Sequence, residues 1–225
     1  MNSAPTTSID DPANVLHLIP NRLGKVLDCS SGYSVRAATY LERGATEIVG
    51  VRRSDEGDDP GTEGVSTVLV GDWMKLAPEY ANGHFDCIVC DDVVARLLDP
   101  LPMLIRLAKL LSPSGLFIVT APNLQYYRNV LDLVQAEWVY RDRGAITRAH
   151  LRFFTGFELT QVLLTAGLHC ERLTATIMDQ PENFPMDETG HVHQVRIRIG
   201  PLTNDEYQNF LVDTYAVLAT RAPGA

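Results

Sequence analysis

Val26-Leu27-Asp28-Cys29-Ser30-Ser31-Gly32-Tyr33-Ser34 is the stretch on which the fold turns. It passes from a short apolar segment to an acid and then into a turn of small residues. Lys25 to Cys29 reads as a buried strand. Val35 to Arg43 carries helical spacing and ends at Gly44, where left-handed backbone is sterically cheap, and Glu47 to Val51 reads as a second strand. The result is a strand-helix-strand unit.

The same alternation continues outward. Arg52 to Gly64 holds five acids with glycines and reads as a solvated loop, followed by a third strand at Thr67 to Val70 and a fourth at Phe85 to Cys90. Asp99-Pro100 opens a helix whose Leu101, Leu104, Ile105, Ala108 and Leu111 recur at helical spacing. Ser114-Gly115 ends that helix, and Leu116 to Thr120 reads as a fifth strand. Thr155-Gly156-Phe157-Glu158 is a capping box whose helix stops at Gly167. Three later strands are expected: Leu168 to Met178, a segment with Val195, Ile197 and Ile199 on one face, and Thr214 to Thr220. Strands alternating with helices imply an α/β fold with parallel pairing and helices on both faces. The late strands imply an antiparallel C-terminal edge. In such sheets ligands bind beyond the carboxyl ends of the central strands, which makes the end of the first strand the place to look.

Composition bounds the rest. The chain has 225 residues, 45% hydrophobic and 21% charged, and a net charge of −9. That length favours one domain over two, here residues 15–221, with a mobile leader over 1–14 and a short tail over 222–225. The acidic balance argues against nucleic acid or an anionic membrane as partner. No apolar run is long enough to span a bilayer and no secretory leader is evident, so a cytoplasmic location is expected. The four cysteines do not suggest a disulfide framework, and Cys87-x-x-Cys90 is half of a zinc pattern whose second half is missing, so no metal is expected.

The turn after the first strand resembles the first motif of class I S-adenosylmethionine-dependent methyltransferases. Leu98-Asp99-Pro100, Leu111-Ser112-Pro113-Ser114-Gly115, Ala121-Pro122-Asn123 and His150-Leu151-Arg152-Phe153-Phe154-Thr155 stand at familiar relative places, so the resemblance runs from Val15 to Arg221. The last motif is similar to that of a subgroup associated with polysaccharide, lipid and secondary-metabolite gene sets. There an Asn-containing turn and a helix with Tyr and Trp precede it, and Asn123, Tyr126, Trp138, Tyr140 and Asp142 fit. The resemblance implies a Rossmann-like, mainly parallel seven-stranded sheet, S-adenosylmethionine as cofactor, and methyl transfer to the oxygen of a small-molecule acceptor such as a sugar or lipid-linked glycan. It assigns Asp28, Ser30, Gly32, Arg52, Asp72, Trp73, Asp91 and Asp92 to the cofactor side. His150 becomes the candidate base and Arg152 the residue that orients an anionic acceptor.

The sequence departs from that family's pattern at three places. Ser30 and Ser34 stand where the first and third glycines are usual, Arg52 stands where an acid usually pairs with the ribose hydroxyls, and Ala95-Arg96 replaces a Glu-His pair. A serine forced into left-handed backbone would cost about 1–2 kcal/mol. The alternative expectation is therefore a catalytically degenerate methyltransferase fold serving a protein partner as a binding or regulatory subunit. A nicotinamide oxidoreductase fits less well, since it calls for a richer glycine turn and an acid after the second strand.

Overall fold

The computed structural model describes residues 12–30, 32–52, 61–71, 80–141, 146–194 and 197–222. Asp55, Asp72, Trp73, Asp142 and Val195 lie outside them. The first unit forms as its sequence dictates, with β1 at Lys25–Asp28, α1 at Tyr33–Glu42 and β2 at Glu47–Arg52. Gly44, with φ of 86°, turns the chain out of α1. Then come β3 (Thr67–Val70), β4 (Phe85–Cys90), α2 (Leu101–Leu110), β5 (Leu111–Pro122) and α3 (Tyr127–Val134). The C-terminal part holds α4 (Gly156–Thr165), β6 (Leu168–Met178), β7 (Val192–Gln194), β8 (Ile197–Ile199), α5 (Asn204–Leu211) and β9 (Val212–Arg221).

Seven strands form one sheet in the order β3-β2-β1-β4-β5-β9-β6. The first five run parallel, and β9 is antiparallel to both of its neighbours. The central strands are apolar at nearly every position because both faces are covered. Leu27, Val49, Ile88, Phe117 and Val119 point to the face packed by Leu104 and Leu107 of α2 and Leu159 and Leu163 of α4. Val26, Ile48, Cys87, Val89 and Ile118 point the other way, onto Ala37 and Tyr40 of α1 and onto Val15 and Leu18 of an N-terminal turn.

Three sequence expectations need correction. The second helix stops at Leu110, because Ser112 precedes Pro113 and a residue before proline is pushed out of helical geometry. Leu111 accordingly pairs with Phe85 in the sheet, and the buried stripe of α2 is Met103, Leu104, Leu107, Ala108 and Leu110, with Ile105 turned outward. The strand containing Ile197 and Ile199 stays out of the main sheet and pairs with β7 as a separate ribbon. Helix α5 was not expected, although Thr203 and Glu206 form a full capping box at its start. The box at Thr155 supplies only the bond from the Glu158 N–H to the Thr155 hydroxyl.

Candidate active site

Strands β1, β2, β4 and β5 run parallel, so their carboxyl ends lie along one edge of the sheet, and β1 delivers Asp28 there. Asp28 is fully buried. Its Oδ1 accepts from the Ser30 N–H at 3.0 Å, the Ser30 hydroxyl at 2.5 Å and Arg36 Nη2 at 3.1 Å. Its Oδ2 accepts from Arg36 Nε at 2.8 Å and the Tyr40 hydroxyl at 2.7 Å. The carboxylate therefore shapes the turn and anchors α1 from within.

The turn needs no glycine conformation where the family usually has one. Gly32 has φ of −85°, and neither Ser30 nor Ser34 is among the residues with positive φ. The strain that serine would otherwise bring does not arise at those positions, and the Ser30 hydroxyl is absorbed into the Asp28–Arg36 network. Tyr33 lies on the α1 face of the sheet, where its ring packs on Gly50, and a Cβ at Gly50 would stand 2.7 Å from that ring. Arg52, half-buried at the end of β2, has donors and no acceptor.

Arg36 went unnoticed in the sequence, yet it is the hub of this region. It has no exposed side-chain surface, and its Nη1 reaches Asp91 Oδ2 at 3.0 Å, so one guanidinium ties the end of β1 to the end of β4. Burial lowers its pKa, but Asp28, Tyr40 and Asp91 more than offset that and the net shift is upward. The signal was present: Tyr33, Arg36, Ala37 and Tyr40 are the buried stripe of α1, and an arginine on such a stripe calls for a buried partner. Asp91 also accepts from the Thr120 hydroxyl at 2.6 Å. Burial pushes its carboxyl up to about 6, against the opposing pull of Arg36 and Thr120.

Asp92 occupies a different environment. Its φ of 56° makes it one of two non-glycine residues with positive φ among those described. Such a conformation costs about 1–3 kcal/mol and persists only where surroundings enforce it. Its N–H donates to the Thr120 hydroxyl at 2.8 Å, and its carbonyl accepts from Arg96 Nε at 3.1 Å. Oδ2 accepts from Arg96 Nη2 at 2.6 Å and Arg96 Nε at 3.0 Å, and lies 3.1 Å from His150 Nε2. Oδ1 is buried and has no hydrogen-bond partner.

His150 is 3% exposed. Its Nδ1 accepts from the Thr147 N–H at 3.1 Å, which leaves the ring proton on Nε2, facing Asp92. Both ring nitrogens are therefore engaged. The rest of its motif is stitched to the segment after β4: the Leu151 and Arg152 N–H groups donate to the Ala95 carbonyl at 2.7 and 3.0 Å, and Arg152 Nε donates to the Leu98 carbonyl at 2.6 Å. Phe154 bridges to Asn123, whose amide donates to the carbonyls of Asn209 and Val212. Tyr126 and Tyr127 donate to Asp179 at 2.8 and 2.9 Å, and Phe153 meets Trp138 edge-on at 5.3 Å. Of the residues expected at the site, the structure thus brings together Asp28, Ser30 and Asp91 through Arg36, and Asp92 with His150. Arg152 donates to a backbone carbonyl, Gly32 accepts from the Arg36 N–H beside the first group, and Arg52 ends the neighbouring strand β2.

A seven-stranded sheet, parallel except for one reversed strand next to its edge, is the architecture of class I S-adenosylmethionine-dependent methyltransferases. Comparison with known proteins agrees. The chain matches the methyltransferase domain over residues 7–173 and belongs to that family. It is 27% identical over 168 residues to the ubiquinone biosynthesis O-methyltransferase of Psychrobacter cryohalolentis, covering 67% of this chain and 64% of that protein. The corresponding protein of Bradyrhizobium diazoefficiens is 29% identical over 163 residues, covering 68% and 61%. The matches thus span less than two thirds of these relatives' length. Among solved structures, a SAM-dependent methyltransferase from Archaeoglobus fulgidus superposes with a TM-score of 0.63 at 14% identity, covering 93% of this chain and 92% of that one. The 1,6-didemethyltoxoflavin-N1-methyltransferase of Burkholderia thailandensis, solved with S-adenosylhomocysteine, gives 0.56 at 16% identity, covering 97% and 80%. At these identities the likeness is one of fold. No helix among the described residues is long and apolar enough to cross a membrane.

Proposed function

We propose that this protein transfers a methyl group from S-adenosylmethionine to an oxygen of a small molecule. The single observation that carries the reading is the unpartnered Asp92 Oδ1, buried at the end of β4 beside Asp91 in a chain of the methyltransferase-domain family. A buried carboxylate oxygen without a donor costs stability and fits a cationic ligand, and the cofactor carries both a sulfonium and an ammonium. The names of the curated relatives support oxygen as the acceptor atom. The residues fit the methionine end of the cofactor better than its ribose end, where Arg52 offers only donors to the hydroxyl oxygens.

When bound, the cofactor supplies a methyl group already activated by positive sulfur. The protein's own work is alignment and exclusion of water. Asp28, Ser30 and Arg36 hold the turn after β1, Asp91 and Asp92 put negative charge at the neighbouring end of β4, and the segment around His150 is stitched to Ala95 and Leu98. A sugar or lipid-linked glycan is the acceptor class that the His150-to-Thr155 motif suggests by association. Calorimetric titration with S-adenosylmethionine tests the reading: micromolar affinity is expected, and no heat up to millimolar concentration refutes it.

A further inference from the structure

Methyl transfer to a hydroxyl releases a proton, and His150, the base that the sequence suggests, is not free to take it. Its Nε2 proton faces Asp92 and its Nδ1 lone pair accepts from the Thr147 N–H, so neither nitrogen is open to a hydroxyl. Further along the same sheet edge stands Asp213, the second residue of β9. Because β9 runs antiparallel to β5, its first residues lie where β4 and β5 end, and the Asp213 carbonyl accepts from the N–H of Asn123, just past β5, at 2.7 Å. Two strand spacings of about 4.8 Å, roughly 10 Å in all, separate β9 from β4, the breadth of a small acceptor. The neighbouring carboxylate, Asp179, is saturated: Oδ2 accepts from Tyr126, Tyr127 and Arg128, and Oδ1 from the Gln180 N–H and the Asn183 amide. Asp213 is not. Its Oδ1 accepts from the Thr214 hydroxyl at 2.9 Å, and its Oδ2 has no donor among the described residues. The residue is half-buried, and Oδ2 is not sealed from solvent as Asp92 Oδ1 is. Arg128, the cation acting on it, is already bonded to Asp179 and to the Tyr127 hydroxyl. Burial pushes the Asp213 carboxyl up, and the Asp179 charge adds to this against Thr214 and Arg128, so the group takes a proton more readily than an ordinary aspartate.

We propose that Asp213 is the general base of this protein and that its Oδ2 takes the hydroxyl proton of a methyl acceptor lying between the ends of β4 and β9. The assignment rests on the reading under Proposed function and deepens it by naming the residue that the acceptor touches. As the acceptor oxygen forms its bond to the methyl carbon, the carbon–sulfur electron pair is left on sulfur. The hydroxyl proton passes to Asp213 Oδ2 and from there to water, so the carboxylate is restored. Thr214 occupies Oδ1, which leaves Oδ2 for the acceptor.

The test begins with the native chain loaded with S-adenosylhomocysteine, the loading checked by calorimetry. Failure to load at millimolar concentration defeats the methyl-transfer reading itself, and with it this one. The loaded chain is then treated at pH 6 with a carbodiimide and glycine ethyl ester, which together convert carboxyl groups that reach solvent and carry a proton into amides. Peptide mass spectrometry is expected to find the label on Asp213 and to find Asp179 spared. An unlabelled Asp213 overturns the proposal, and so does an Asp213 labelled only when S-adenosylhomocysteine is left out, since that places it on the donor side. This labelling decides the matter before any acceptor is known. Kinetics then adds a second readout on a hydroxyl probe that the native chain methylates, phenol and methyl glucoside being the first two to try. Asp213→Asn keeps an oxygen for the Thr214 hydroxyl and cannot take the proton. It is expected to lower kcat about 100-fold or more with KM little changed, and to abolish the rise of kcat with pH that the native carboxylate imposes. A kcat in Asp213→Asn within about threefold of the native value overturns the proposal.

Discussion

Replacing Arg36 by methionine removes the guanidinium and keeps most of the side-chain volume. Arg36 and Asp28 are without side-chain exposure and Asp91 nearly so, and the guanidinium contacts run from 2.8 to 3.1 Å to three carboxylate oxygens. Methionine leaves Asp28 with donors from Ser30 and Tyr40 only, and Asp91 with Thr120 only. Breaking a buried ion pair from one side typically costs about 3–5 kcal/mol, because the abandoned charge stays buried. With a urea slope of about 3 kcal/mol/M, the upper end for small proteins, the midpoint should fall by roughly 1–1.7 M. Lysine should recover little, since one ammonium cannot reproduce a fork that spans two acids. Urea unfolding followed by circular dichroism at pH 7 measures the shift. Arg36→Met within about 0.5 kcal/mol of the native chain would refute the claim that this guanidinium ties β1 to β4.

Other consequences can be measured alongside it. Asp91 has a folded-state pKa raised to about 6 against 3.8 for the free group, so its ionisation works against folding. The contribution is absent below about pH 4, grows as pH rises, and is complete above about pH 6, at about 3 kcal/mol. Asp91→Asn should remove that part of the pH dependence, seen as a gain relative to the native chain that grows between pH 4 and pH 6; a difference that is flat with pH contradicts it. Gly50→Ala would put a methyl 2.7 Å from the Tyr33 ring and should lower stability by about 1–3 kcal/mol in the same urea assay, while an unchanged midpoint would mean Tyr33 does not pack there. Thr203→Ala removes half of the capping box on α5 and should cost about 1 kcal/mol, read as a lower thermal midpoint; no change would show that the cap contributes nothing.

The parallel half of the sheet was legible because its signals are local. Apolar runs from Lys25, Glu47 and Phe85 mark strands covered on both faces, the shorter run from Thr67 marks the more exposed edge strand, and Gly44 marks a helix end whose backbone only glycine adopts cheaply. The end of α2 was misplaced because Leu111 continues the helical spacing, while Pro113 decides the matter by restricting Ser112. The ribbon of β7 and β8 looked like sheet strands because alternation sets a strand's faces and says nothing about its partners. Asp28 could be singled out by its place at the end of the first strand, and Asp91, Asp92 and His150 by the resemblance to class I methyltransferases. Their division of labour could not, because it depends on Arg36 reaching across β1 to β4 and on the left-handed turn at Asp92 that separates one carboxylate oxygen from the other. The serines of the first turn depart from the glycine pattern, and they bring no left-handed strain because the backbone at Ser30, Gly32 and Ser34 does not enter that region.

The proposed function requires a methyl donor over the ends of β1 and β4. A crystal structure of the protein grown with S-adenosylhomocysteine tests it most directly. The methionine end of the ligand is expected beside Asp92 Oδ1, with the Asp28–Arg36–Asp91 bridge intact. Density for the ligand elsewhere, or none at millimolar concentration with Asp92 Oδ1 still unpartnered, would contradict it.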